Sequence, residues 1–168
     1  MPQPVQYRGM ALIGPDNDSE WKEFYEHARA HRLVVRKCNA CGLMRYPPMH
    51  ACPWCMELGW TWHPVSGKGT IYSYEIVVHA IQPGFKEVAP YPVVLVELDE
   101  QRGAPTPDEA LRMVANLVKP GGGMEDEKNV AIGKRVRVQF EDLANHMALP
   151  QFALTDEPSQ GRVWRFPD

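Results

Sequence analysis

The sequence predicts a mainly β protein: one amphipathic helix, then a small metal-binding ribbon, then a five-stranded barrel. Three observations lead there. All four cysteines of the 168-residue chain, Cys38, Cys41, Cys52 and Cys55, fall as two C-x-x-C pairs separated by ten residues. One stretch ahead of them repeats apolar residues at helical spacing. Beyond Gly67 the apolar residues alternate, or run together, in segments of strand length.

Residues 1 to 15 carry prolines and glycines without periodicity and read as an extended arm. From Asn17 the character changes. Asn17 or Asp18 is placed to cap a helix, Glu20 sits where a capping-box acid belongs, and Trp21, Phe24, Tyr25 and Ala28 recur at helical spacing to about Ala30. Leu33 to Lys37 reads as a strand entering the ribbon and Leu58 to His63 as one leaving it. The barrel strands are Thr70 to His79, with Tyr72, Tyr74, Ile76 and Val78 on one face, then Val93 to Leu98, the weaker Arg112 to Val118, and Arg135 to Glu141. In the last of these Val136, Val138 and Phe140 point inward against Arg135, Arg137, Gln139 and Glu141 outward, and Arg162 to Phe166 closes the set. The chain therefore divides into an arm (1–15), helix plus ribbon (16–63) and barrel (64–168).

Two C-x-x-C knuckles facing each other supply four thiolates in the tetrahedral arrangement zinc prefers. With every position filled by protein the metal has no vacancy for water or substrate, so it contributes folding energy and does not activate a nucleophile. Gly42 after the first pair supplies a positive φ, and Pro53 stiffens the second turn. Two disulfides or a redox dithiol are the competing readings, but a redox C-x-x-C opens a helix within a βαβ pattern, which is absent here. Iron uses the same four-sulfur set, so the ligands alone leave zinc and iron both open.

A hydrophobic content of 44% with 10% aromatic residues suits a chain that buries a core. No apolar run approaches a membrane span, and Met1-Pro2-Gln3-Pro4 has neither a basic nor an apolar leader region, which predicts a soluble cytoplasmic protein with reduced thiols. The net charge of −3 disfavours a chain built to neutralise nucleic-acid phosphates. His27, His31, His50, His63, His79 and His146 form no catalytic motif, and there is no nucleophile elbow or G-x-G-x-x-G. Gly121, Gly122 and Gly123 lack the Lys-Ser/Thr tail of a phosphate loop and read as a hairpin tip. The acidic connection from Gln101 to Leu111 and the glycine-rich one from Lys119 to Asn129 are expected to be exposed and mobile.

The order of motifs carries a resemblance. C-x-x-C-G and C-P-x-C follow the helix, and then come Gly67-Lys68-Gly69-Thr70-Ile71-Tyr72-Ser73-Tyr74 and Tyr91-Pro92-Val93-Val94-Leu95-Val96-Glu97-Leu98. Asn116-Leu117-Val118, Ile132-Gly133-Lys134-Arg135-Val136-Arg137-Val138 and Leu149-Pro150-Gln151-Phe152 complete the series. Over residues 18 to 155 the chain resembles the acyl-CoA-associated OB-fold family, domain of unknown function 35, in which a rubredoxin-like zinc ribbon precedes an OB barrel.

The resemblance implies one structural zinc ion and a non-catalytic accessory subunit of a thiolase-like enzyme, or of an acyl-CoA hydratase, in lipid, steroid or aromatic-compound metabolism. A thiolase requires a cysteine nucleophile, and the metal would occupy every cysteine here, so the chemistry would lie on the partner. Because thiolases resemble obligate dimers, a hetero-oligomer with two copies of each chain is the implied stoichiometry. Lys68, Lys119, Lys134 and Arg135 are the cations available to an acyl-CoA shared with the partner. Trp21, Phe24, Tyr25, Trp54, Trp60 and Trp62 are the aromatic candidates for the partner interface, against the alternative that they complete the ribbon's own core. A different class of function, single-stranded nucleic-acid binding, draws on Arg29, Arg32, Arg36, Lys37 and Arg45 with Tyr46 and Trp54 as stacking groups.

Overall fold

The computed structural model describes residues 4–12, 19–143, 147–159 and 161–166. Within the stretch expected as an extended arm, β1 (Val5–Tyr7) and β2 (Met10–Leu12) form a two-stranded antiparallel hairpin. Strands of three residues are too short to register as periodicity, which hides them in the sequence. Val5 and Tyr7 are buried, with the Tyr7 ring 5.9 Å from Phe85.

The helix α1 (Ser19–Arg29) turns Phe24 and Ala28 inward, holds Trp21 and Tyr25 half-buried beside them, and leaves Lys22, Glu23 and Glu26 exposed. It stops at His31, whose left-handed backbone (φ 52°) lets the Ala28 and His27 carbonyls accept from the His31 and Arg32 N–H groups. The proposed caps Asn17 and Asp18 lie outside the described residues.

The ribbon is a three-stranded antiparallel sheet in the order β4-β3-β5, from β3 (Val34–Cys38), β4 (Met44–Arg45) and β5 (Trp60–Pro64). The barrel follows, with β6 (Lys68–Val77), β7 (Tyr91–Leu98), β8 (Arg112–Val118), β9 (Arg135–Leu143) and β10 (Met147–Leu154) closing in the order β10-β8-β7-β6-β9. Every pairing is antiparallel except β8 with β10, which is the five-stranded OB topology. Ile71, Val94, Val96, Leu98, Leu117 and Phe152 fill its interior at 0% exposure. Phe24, Leu33, Val34 and Val35 join the same cluster, so helix, ribbon and barrel share one core.

Three sequence expectations are corrected here. The fifth strand is Met147–Leu154, whereas residues 162–166 contribute a single bridge between Ile132 and Trp164. Pro150 masks this strand in the sequence, yet β10 is paired on both sides only at Phe152 and Ala153, so the missing N–H falls where one ladder alone runs. In β6 the register shifts between Ile71 and Ser73, a bulge that puts Ile71 in the core and leaves Tyr72 44% exposed. Arg135, expected outward, is 3% exposed. Among the described residues no helix is long and apolar enough to cross a membrane.

A candidate metal centre and docking face

The two C-x-x-C segments fold as twins. In the first, the Gly42 N–H donates to the Cys38 carbonyl (3.0 Å) and the Cys38 N–H to the Leu43 carbonyl (2.9 Å). The second repeats both bonds, Met56 N–H to the Cys52 carbonyl (2.9 Å) and Cys52 N–H to the Glu57 carbonyl (2.8 Å). Each knuckle needs a left-handed residue just after its second cysteine. Gly42 (φ 76°) provides it without a Cβ, whereas Met56 adopts φ 62° against its own steric preference.

The knuckles bring the four sulfurs within 4.8 Å of one another. Cys38 to Cys55 and Cys41 to Cys52 are each 3.6 Å apart, and none is disulfide-bonded. Zinc at about 2.3 Å from each thiolate sets sulfurs about 3.8 Å apart along a tetrahedron's edge, so the quartet fits one such ion. Backbone N–H groups of Cys41, with help from Ala40, pull the Cys38 thiol down to about 6. Burial opposes the same effect at Cys52, yet the Cys55 and Trp54 N–H groups still lower it. Cys55, despite the Glu57 N–H, is pushed up to about 12 by the hydrogen bonds its own S–H donates to the other sulfurs and by burial. Backbone donors thus favour the thiolate at Cys38 and Cys52 before any ion arrives.

The six aromatic residues proposed for an interface separate clearly. Phe24 is 2% exposed, and Trp21 packs edge-on to it (5.6 Å) and to Tyr46 (5.8 Å). Tyr25 joins them, its hydroxyl pKa raised by burial, and burial followed by the neighbouring Tyr25 pushes Tyr46 to about 12. Trp62 donates from Nε1 to Glu23 (2.5 Å), and Trp60 carries the Arg36 guanidinium 3.8 Å above its ring. These five complete the chain's own helix–ribbon packing, while Trp54 stands 53% exposed on the second knuckle.

Three further exposed apolar residues that the sequence alone does not single out belong to the same ribbon segment, Met49 (43% exposed), which lines one cleft with Trp54, and Met56 (72%) and Leu58 (65%), which follow Trp54 in the chain. The signal for Met56 was the knuckle pseudo-repeat, which sets a methionine where its twin has glycine. The ridge borders a cleft of about 210 Å³ between ribbon and barrel, lined by Leu43, Met49, Pro53, Trp54, Pro105 and Leu111. Its far wall is the acidic connection, fixed where Arg112 donates to the Asp108 carbonyl (3.1 Å) and to Glu97 (3.1 and 3.2 Å).

The four proposed CoA cations do not form one cluster. Arg135 donates to Asp99 and Thr70 (2.8 Å each) and reaches Glu157 (3.3 Å), which also receives Lys68 (2.6 Å). Lys134 bonds the Asn129 carbonyl (2.7 Å). Lys119 sits on the triple-glycine turn, closed by its own N–H on Gly123 (2.9 Å). Of the histidines, His31 meets Asp142 (2.7 Å), His50 meets Glu20, and His27 bonds Arg32 (3.3 Å). His146 lies outside the described residues.

Comparison with known proteins agrees with this architecture. Residues 26–57 match the family described as "ChsH2, rubredoxin-like zinc ribbon domain", and residues 62–141 match "ChsH2, C-terminal OB-fold domain". A "DUF35 domain-containing scaffold protein" of Methanothermobacter thermautotrophicus is 32% identical over 67% of this chain and 79% of its own. A "Probable enoyl-CoA hydratase alpha subunit" of Thermomonospora curvata is 33% identical over 89% of this chain, which spans 41% of that relative's length. The solved structure of an "Ltp2-ChsH2(DUF35) aldolase" superposes with a TM-score of 0.67 at 31% identity, covering 84% of this chain and 98% of that one. The ribbon with its cysteine quartet, the barrel topology and these likenesses together make the chain a member of the DUF35 family of zinc-ribbon and OB-fold proteins.

Proposed function

We propose that this chain is a zinc-binding accessory subunit, without catalytic residues of its own, that docks on an enzyme acting on acyl-CoA thioesters. Cys38, Cys41, Cys52 and Cys55 hold the ion in a closed site, where its contribution is to fix the two knuckles relative to each other. The observation that carries the reading is the second knuckle. Met56 is held in a left-handed conformation that costs about 1 kcal/mol, and the result is an exposed apolar ridge with Trp54, Met49 and Leu58. Such strain and exposure are retained where a surface is used.

The partner is thiolase-like, as the family resemblance implies, in a hetero-oligomer with two copies of each chain. The acyl-CoA lies between them, in lipid, steroid or aromatic-compound metabolism. Among the four proposed cations, Lys119 is the one whose ammonium makes neither an ion pair nor a hydrogen bond with the described residues, so it is the first candidate for a CoA phosphate. Reduced thiolates as ligands support a cytoplasmic location for the assembly. The similar solved structure, named Ltp2-ChsH2(DUF35) aldolase, pairs two protein names, which supports a two-chain assembly. A second reading, a hydratase as partner, is supported by the relative named a hydratase alpha subunit.

The test is isolation of the tagged full chain from its native host. An acyl-CoA enzyme that co-elutes, loses activity when this chain is removed and regains it on adding the zinc-loaded chain back supports the role. The substrate consumed separates thiolase from hydratase. A chain that elutes alone, with no acyl-CoA activity depending on it, overturns the reading.

A further inference from the structure

We propose that Arg36 and Arg45 form a buried counter-charge and clamp for the metal centre, so that ion binding and the burial of these two guanidiniums depend on each other. The inference rests on the reading that the four cysteines hold zinc. Arg36 and Arg45 face each other across the β3–β4 ladder and are 2% and 4% exposed. Two cations side by side in a ribbon interior repel, and each is costly to bury without a compensating anion. The one carboxylate in direct reach among the described residues is Glu20, which lies 3.6 Å from Arg36 and is shared with His50, while Glu23 acts on Arg36 only from farther off. The Arg36 Nε and Arg45 Nη1 groups are buried without a hydrogen-bond partner.

The missing negative charge has an evident source. Four thiolates around a divalent zinc ion carry a net charge of −2, equal and opposite to the two guanidiniums. Arg36 lies two residues before Cys38 on the same face of β3, and its guanidinium stacks on Trp60, the residue paired directly with Cys38. From residue 27 to residue 56 there are five cations and no acid, so the segment contains no other anion to balance them.

The same side chains also fasten one knuckle to the other. Arg36 Nη1 and Arg45 Nε both donate to the Met49 carbonyl (3.0 and 3.3 Å), and Arg45 Nη2 donates to the His50 carbonyl (3.4 Å). These carbonyls lie three and two residues before Cys52, while the donors stand on the two strands that flank the first knuckle. The arginines therefore both place the second pair of sulfurs and neutralise the charge that ligation creates.

Zinc affinity of the full chain, measured by competition with a chromophoric chelator, tests this when Arg45→Gln is compared with Arg45→Lys. Gln keeps a donor for the carbonyls without charge, and Lys keeps the charge without the fork. The expected result is a loss of roughly 10- to 100-fold in affinity for Arg45→Gln and a smaller loss for Arg45→Lys. In cobalt-loaded protein the sulfur-to-metal absorption bands should shift for the neutral variant. Arg36→Gln and Arg36→Lys carry the same comparison should an Arg45 variant not fold. Wild-type affinity in the glutamine variant, or equal losses for Gln and Lys, overturns the counter-charge. Wild-type protein that binds no metal at all instead overturns the zinc reading beneath it.

Discussion

Gly42 and Met56 occupy equivalent places in the two knuckles, and the difference between them separates stability from use. Met56→Gly should stabilise the ribbon by about 1 kcal/mol, read as a raised denaturation midpoint of the zinc-loaded chain, while weakening partner binding. A variant stabilised with undiminished binding would remove Met56 from the docking face. Gly42 was legible because glycine advertises a positive φ, whereas the strained methionine advertises nothing until its twin is seen. The cysteine quartet was fully legible, since its spacing alone encodes the site. Arg135 was not, because an arginine at an outward position of an alternating strand reads as solvated. Its burial depends on Asp99 and Glu157, distant in sequence. Arg135→Met should cost about 3 kcal/mol, mostly by breaking the pairs with Asp99 and Glu157 and leaving Asp99, among the described residues, only the more distant Arg102 at 4.0 Å. The hydrogen bond from Arg135 is the largest influence holding the Asp99 carboxyl below its usual value of 3.8. A depressed folded-state pKa contributes stability that is present above the unfolded value and lost as pH falls through the folded one. Wild-type unfolding free energy should therefore drop as pH falls below about 4, and urea titrations of Arg135→Met should show a shallower drop.

At the scale of elements, α1 behaves as part of the core. Phe24 is 2% exposed and sits among Leu33, Val34 and Val35, so Phe24→Ala should destabilise the chain by about 3–5 kcal/mol in chemical denaturation. A cost below about 1 kcal/mol would mean the helix is only loosely attached. Its aromatic stripe was readable as a buried face, but periodicity does not say whether the burying surface belongs to this chain or another. Tyr46 and Trp62, the groups that cover it, come from separate strands and loops. Four barrel strands were read near their true positions because alternation marks them. The fifth was misplaced because Pro150 interrupts it and because the aromatic pair Trp164 and Phe166 mimics a strand while packing on Tyr74 as a strap. The bulge at Tyr72 takes that one residue off the assigned face of the first barrel strand, while Tyr74 and Ile76 beyond it still pack on the core.

The whole molecule is electrically uneven. Residues 27–56 hold five cations and no acid, so the remaining residues hold 13 cations and 21 acids, a net charge of −8 against +5 in the ribbon segment. With Arg36 and Arg45 buried, the outward cations of the segment are Arg29, Arg32 and Lys37, so an acidic partner surface around an apolar pocket is their complement and the ridge's. Trp54→Ala should weaken the association by about 2 kcal/mol while leaving the fold intact. The same figures explain why single-stranded nucleic acid is the poorer reading: Arg36 and Arg45 are buried and bound to backbone carbonyls, not displayed to phosphates. In the proposed role zinc shapes the surface by which this chain holds an enzyme. Native mass spectrometry of the complex before and after chelation is the decisive experiment. One zinc per copy of this chain, with loss of the metal releasing the partner, is the predicted result. A partner that stays bound to metal-free chain, or a complex that never carried the mass of zinc, would contradict it.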